Sequence, residues 1–139
     1  MRSGRQNISS GSPWEPVVGY SRAVRVGNVV HVAGTTGTGA DGKVVAPDAY
    51  GQAKAALAKI SAALDRAGAM MTDVVRTRIY VTSVEDCDEV GRAHGERFRA
   101  ILPACTMVVV SSLVDPAMKV EIEAEAILGK TAGEGETAG

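Results

Sequence analysis

The sequence predicts an α+β domain: a mixed β-sheet with two helices packed on one of its faces. Three observations carry this. Gly27-Asn28 stands between two β-branched runs, the signature of a two-residue hairpin. Two stretches repeat apolar residues at three- and four-residue intervals, the period of amphipathic helices. The run Lys119 to Ile127 alternates strictly, as a strand with one buried face does.

Residues Met1 to Pro16 carry Ser, Gly and two prolines around Trp14 without any period, so they read as an irregular arm pinned to the body by Trp14. From Gly19-Tyr20-Ser21-Arg22 the chain is extended, through Ala23–Val26, the Gly27-Asn28 turn and Val29–Ala33. His31 alternates with valines and has no metal-type residue at ligand spacing, so it reads as a residue packed in or beside the sheet. The segment Gly34 to Gly42 is a glycine-rich loop. It lacks the Lys-Ser/Thr ending of a phosphate-binding loop, but Gly34, directly after a strand, lets backbone N–H groups come close to a ligand.

Pro47-Asp48 opens a helix whose stripe is Ala53, Leu57, Ile60, Leu64 and Ala67, closed by Gly68. The strand Val74–Val81 follows, with Arg76 and Arg78 on one face. Asp86 and Glu89 suggest a capping box for a second helix with the stripe Val90, Ala93, His94, Phe98 and Ile101, on which Cys87 is a buried thiol. Leu102 to Val110 and Lys119 to Ile127 are two further strands separated by Asp115-Pro116. In the last one Val120, Ile122, Ala124 and Ala126 point one way, and Glu121, Glu123 and Glu125 the other. Such a carboxylate face is solvated, meets cations such as Arg76 and Arg78 on a neighbouring strand, or shields one glutamate as an acid-base group. Spacing alone does not choose among these.

At 139 residues this is a single domain over residues 1–130 followed by a disordered tail at 131–139, with one Trp, one Phe and three Tyr, so its core is aliphatic. A net charge of −1 supplies no basic field for nucleic acid or an anionic membrane. No apolar run approaches the roughly 20 residues of a membrane span. Two cysteines and no signal-like N-terminus point to a reducing cytoplasmic setting without a disulfide framework. Two helices leave one sheet face bare, and its valines call for another subunit.

Together, Gly19-Tyr20-Ser21-Arg22-Ala23-Val24, Val32-Ala33-Gly34, Asp73-Val74-Val75-Arg76-Thr77, Leu102-Pro103-Ala104 and Val120-Glu121-Ile122-Glu123-Ala124 resemble the Rid family, also called YjgF or liver perchloric-acid-soluble protein, in colinear order over roughly residues 5 to 129. The resemblance implies a chorismate-mutase-like fold, a homotrimer with clefts between subunits, and hydrolysis of reactive enamines or imines such as 2-aminoacrylate without metal or cofactor. It places Tyr20, Gly34 and Glu121 in the cleft, Glu121 activating a water. Where the family carries an arginine after Pro-Ala, this chain has Cys105, and backbone near Thr106 would help hold a carbonyl or leaving nitrogen. Arginine grips a carboxylate with two charge-assisted bonds, and a thiol does not. The expected substrate is therefore a small enamine, imine or carbonyl compound other than the usual 2-imino acid, unless another cation such as Arg22 reaches the cleft. Cys105 is either a space-filling residue or a reactive thiol. A non-catalytic ligand-binding or protein-stabilising trimer is the alternative; ribonuclease finds little support in the charge.

Overall fold

The computed structural model describes residues 4–129; the tail expected at 131–139 lies outside them. The strands are β1 (Arg5–Ile8), β2 (Ala23–Val26), β3 (Val29–Thr36), β4 (Val74–Val81), β5 (Ala104–Val109) and β6 (Val120–Ile127), and the helices α1 (Ala49–Arg66) and α2 (Cys87–Phe98). They form one mixed sheet in the order β1-β2-β3-β6-β4-β5, with β4 and β5 parallel and the other neighbours antiparallel. Parallel pairing needs a crossover, and α2 provides it.

The expected hairpin forms, with Val26 opposite Val29 and Gly27 at φ 59°, which a side chain would resist. Asp48 caps α1 by accepting from the Gly51 N–H at 3.1 Å, and its predicted stripe, Ala53 to Ala67, is at most 1% exposed. This stripe packs against Val30, Val32, Ile122, Ala124 and Ala126. Burying each of the larger aliphatic side chains stabilises the fold by about 1.5–3 kcal/mol.

Four expectations are corrected. The arm is not wholly irregular: Arg5–Ile8 pairs with β2, burying Ile8, because the outer edge of β2 offers unpaired backbone groups. Trp14 does not pin it, being 65% exposed. The arm is held instead by the β1–β2 ladder and by Gln6 Nε2 donating to Arg66 O at 3.3 Å, while buried Glu15 ties the arm to itself, its carboxylate accepting from Ser9 Oγ at 2.8 Å and Ser10 N at 3.1 Å. β3 continues past Ala33 to Thr36, its register with β6 shifting between Val32 and Thr35, so Gly34 lies in a bulge rather than a loop. Asp86 makes no capping bond; Ser83 instead accepts from the Glu85 N–H in a 3-10 turn leading into α2.

Both helices cover the face bearing Val120, Ile122, Ala124 and Ala126. His94 of α2 meets that face through Thr77, its Nε2 lying 2.9 Å from the threonine hydroxyl while the ring stacks on Phe98. Burial holds the His94 imidazole below its ordinary pKa. Cys87 is half-buried against the core. Among the described residues no α-helix covers the opposite face.

Candidate functional site

On the uncovered face the three carboxylates of β6 take different partners. Glu125 Oε2 lies 3.4 Å from Arg78 Nη1 and 3.5 Å from His31 Nδ1. Glu123 accepts a 2.6 Å hydrogen bond from the Tyr80 hydroxyl. This bond, with burial and the charges of Glu123 and Glu121, holds the Tyr80 proton above the ordinary tyrosine range. Glu121, opposite Tyr80 on one side and Thr36 on the other, accepts no hydrogen bond from the described residues.

Glu121 folds over the β3 bulge. A Cβ on Gly34 would sit 2.1 Å from Glu121 Oε2, so glycine is what admits the carboxyl group there. Burial raises the pKa of this carboxyl, and Glu123 adds to the effect. The positive charge of Arg22 opposes it. The outcome is a carboxyl that holds its proton to higher pH than usual, free of internal partners, which is the condition for passing a proton to or from a bound molecule.

Arg22, the residue just before β2, braces the bulge. Its Nη1 donates to Gly34 O at 2.7 Å and Thr35 Oγ1 at 2.9 Å, and its Nη2 lies 3.4 Å from the Tyr20 hydroxyl. From the helix side, Lys59 donates to the carbonyls of Thr36 and Thr38 at 3.0 and 3.2 Å and to Thr38 Oγ1 at 2.9 Å. Burial, then Arg22, lowers its pKa. Tyr20 and Gly34 are thus joined through Arg22, and Glu121 lies over Gly34. A groove of about 660 Å³ runs across the open face from Tyr20 and Ala33 to Arg78 and Glu125.

The two remaining sequence-predicted site residues lie elsewhere in the chain. Tyr80 is opposite both Glu121 and Val108, whereas Cys105 is opposite Thr77, one intervening strand away and three positions along. Neighbouring strands are roughly 4.8 Å apart and residues roughly 3.3 Å, so no contact within one chain joins Cys105 to Glu121. Cys105 also shares the helix-covered face with Thr77 and core-packed Met107, although it is exposed. Thr106 is on the open face, where its hydroxyl accepts from Arg76 Nη2 at 2.9 Å. Sequence reasoning missed Tyr80 and Lys59 as neighbours of the site. Tyr80 was signalled by its two-residue step from Arg76 and Arg78; Lys59 sits off the apolar stripe of α1 and carried no such signal.

Among the described residues no three His, Cys, Asp or Glu side chains converge as metal ligands would, and no helix is long and apolar enough to cross a membrane.

The family model described as Endoribonuclease L-PSP matches residues 11–128. An uncharacterized protein of Streptomyces coelicolor is 39% identical over 124 residues, 89% of this chain and 92% of that protein. A 2-iminobutanoate/2-iminopropanoate deaminase of Dermatophagoides farinae is 30% identical over 127 residues, 91% of this chain and 98% of its own. Among solved structures, a YjgF/YER057c/UK114 family member from Mycobacterium tuberculosis is 49% identical with a TM-score of 0.82, covering 89% of this chain and 99% of that one. The YjgF gene product of E. coli is 27% identical with a TM-score of 0.74, over 87% and 93% of the two chains.

Proposed function

Because the chain belongs to the endoribonuclease L-PSP family, also known as YjgF or Rid, we propose that it is a Rid-like hydrolase that deaminates a small enamine, imine or related carbonyl compound. The observation that carries this reading is Glu121: a carboxyl packed over Gly34, raised in pKa by burial and without a hydrogen-bond partner among the described residues. In the proposed reaction water adds to the C=N carbon while ionised Glu121 takes one of its protons and passes it to the nitrogen, giving a carbinolamine. Glu121 then relays the carbinol O–H proton to the same nitrogen as the C–N bond breaks and the C=O bond forms, so that the nitrogen leaves as ammonia. The product is a carbonyl compound.

We further propose a homotrimer whose neighbouring subunit covers the open sheet face, turning the groove beside Tyr20 into a cleft. Within one chain Cys105 and Thr106 do not adjoin Glu121, so their part in the site depends on a second copy. A thiol in place of a cationic side chain at 105 supports a substrate other than a 2-imino acid held by its carboxylate. The same residue favours a second reading, a trimer that binds small ligands or stabilises proteins without catalysis. Ribonuclease activity is less favoured, since a net charge of −1 gives little attraction for a polyanion.

Imines generated in place by an amino-acid oxidase, with charged and uncharged ends, test the reading by timed carbonyl release. The expected result is accelerated release from uncharged imines that drops by about 10²–10⁴-fold in Glu121→Gln. No acceleration for any imine would sink the hydrolase reading, and a monomeric mass in light scattering at micromolar concentration would sink the trimer.

A further inference from the structure

We propose that Arg22 is a ligand-facing donor of this site: its Nη2 nitrogen, with the Tyr20 hydroxyl, holds an oxygen acceptor on the bound molecule and takes a neutral carbonyl oxygen about as readily as a carboxylate. The inference rests on the site assigned above and specifies the ligand class.

The way Arg22 is held leaves little else for that nitrogen. Both Nη1 hydrogens are taken by Gly34 O at 2.7 Å and Thr35 Oγ1 at 2.9 Å. Nε is shut off from solvent with no partner among the described residues. The one hydrogen-bond partner of Nη2 among the described residues, the hydroxyl of half-exposed Tyr20 at 3.4 Å, is farther than a strong N–H···O bond allows. The Tyr20 ring lies beside the guanidinium, 5.6 Å from its carbon, and walls that nitrogen on one side.

A guanidinium only donates, so the occupant of this place is an acceptor, and a phenol hydroxyl turns to donate to the same atom. The two-nitrogen fork that distinguishes carboxylates is not on offer, because Nη1 is spent on the bulge and Nε is enclosed. Glu121 already contributes an acidic group nearby, and a second full negative charge would meet it unfavourably whenever it is ionised. A single-nitrogen contact beside a carboxyl group therefore discriminates weakly between C=O and COO⁻. A molecule with a carbonyl oxygen next to its reacting carbon, such as an α-imino amide, ester or ketone, fits this arrangement.

Pyruvate and pyruvamide differ only in carboxylate against carboxamide and serve as probes. Their dissociation constants, from NMR titration of the wild-type protein, are expected to agree within about threefold. Arg22→Gln is expected to weaken both by roughly tenfold or more, the loss of one charge-assisted hydrogen bond. Arg22→Lys keeps the cation and serves should Arg22→Gln fail to fold. In the wild type, the Arg22 side-chain nitrogen signals are expected to move as either probe saturates. Static signals, absence of binding, pyruvate binding more than tenfold tighter than pyruvamide, or binding indifferent to Arg22 would each overturn the proposal. Glu121→Gln separates it from the hydrolase reading, because it should lose turnover and keep probe binding. Imine turnover with binding indifferent to Arg22 defeats this proposal alone; binding that follows Arg22 without turnover defeats the hydrolase alone.

Discussion

Glu121 and Glu125 leave the same strand on the same side, four residues apart, and end in different surroundings. Glu125 lies between two basic side chains, Arg78 and His31, at 3.4 and 3.5 Å. Glu121 has no such partner and lies over a glycine, its proton held more tightly by burial. Both come from one alternating strand. What separates them is the neighbouring strand β3, regular opposite Glu125 and bulged just before Glu121. A bulge re-aims a strand and leaves backbone uncovered, here braced by Arg22 and Lys59. One end of the face therefore makes ion pairs, and the other holds a half-buried carboxyl with no hydrogen-bond donor among the described residues.

The sharpest way to break this comparison is to neutralise the two carboxylates separately. Glu121→Gln should cut turnover by about 10²–10⁴-fold, and Glu125→Gln by less than about threefold, in parallel assays of imine hydrolysis. Stability should move with pH in a defined direction. Glu121 holds its proton to higher pH when folded than when unfolded, so between the ordinary value of 4.5 and its raised value the folded chain binds more protons. Wild-type stability contributed by this group is then lost as pH rises through that window, and Glu121→Gln should lack that loss. Denaturant melts of the two proteins from pH 4 to 8 check it; a difference between them that does not grow with pH would contradict the raised pKa.

Gly34→Ala is the next largest effect expected. The new Cβ would meet Glu121 Oε2 at 2.1 Å, but the atom struck is the end of a flexible side chain, so the carboxyl group swings away and the fold survives. Turnover should fall by roughly tenfold to a hundredfold with little change in melting temperature, since misplacing a catalytic group by about 1 Å is enough. A large loss of stability with turnover per folded molecule intact would show that Gly34 serves the backbone and not Glu121.

The alternation from Lys119 to Ile127 made the shared carboxylate face legible, and Arg76 and Arg78 were readable as countercharges for it. Arg78 meets Glu125 as expected, but Arg76 turns to Thr106. Which glutamate stays unpaired was not legible, because it depends on the register shift between Val32 and Thr35, a property of two strands far apart in sequence. The helices and the hairpin were legible because each rests on local periodicity or turn chemistry. β1 was not, since only Ile8 among its four residues carries an apolar signal. Cys105 and Thr106 read as one patch through their adjacency, yet consecutive strand residues point to opposite faces. Tyr20, Gly34 and Glu121 were named from resemblance; in the fold Arg22 links Tyr20 to Gly34, and Glu121 lies over Gly34.

Tyr80→Phe tests the middle of the face with a smaller effect. Removing the hydroxyl leaves Glu123 without its 2.6 Å donor, and a hydrogen bond to a charged group is worth about 1.5–3 kcal/mol when enclosed and less when water can replace it. Glu123 is partly exposed, so a loss near 1 kcal/mol is expected in denaturant melts. Glu123 still faces Glu121 from the same side of β6, and turnover should change by only a few-fold.

The smallest effect expected is on stability in Glu125→Gln, and its size bears on how covered the ion-pair end of the face is. In the single chain the side chains of His31, Arg78 and Glu125 are 59%, 38% and 32% exposed, so water screens both pairs. Exposed pairs of this kind contribute about 0–1 kcal/mol. The substitution keeps the shape and one acceptor oxygen while removing the charge, so the expected loss is under about 1 kcal/mol and shrinks further as salt is raised from about 0.05 to 0.5 M, where the screening length falls several-fold. A neighbouring subunit placed directly over this triad would strip away that water, and cancelling one charge would then leave buried cations unpaired, a loss of about 3–5 kcal/mol with weak salt dependence. A small, salt-sensitive loss thus keeps Glu125 at a wet rim, whereas a large, salt-insensitive one would move it into the interior of the assembly and weaken the contrast with Glu121. Melts at the two salt concentrations, paired with light scattering to follow subunit dissociation, give the answer.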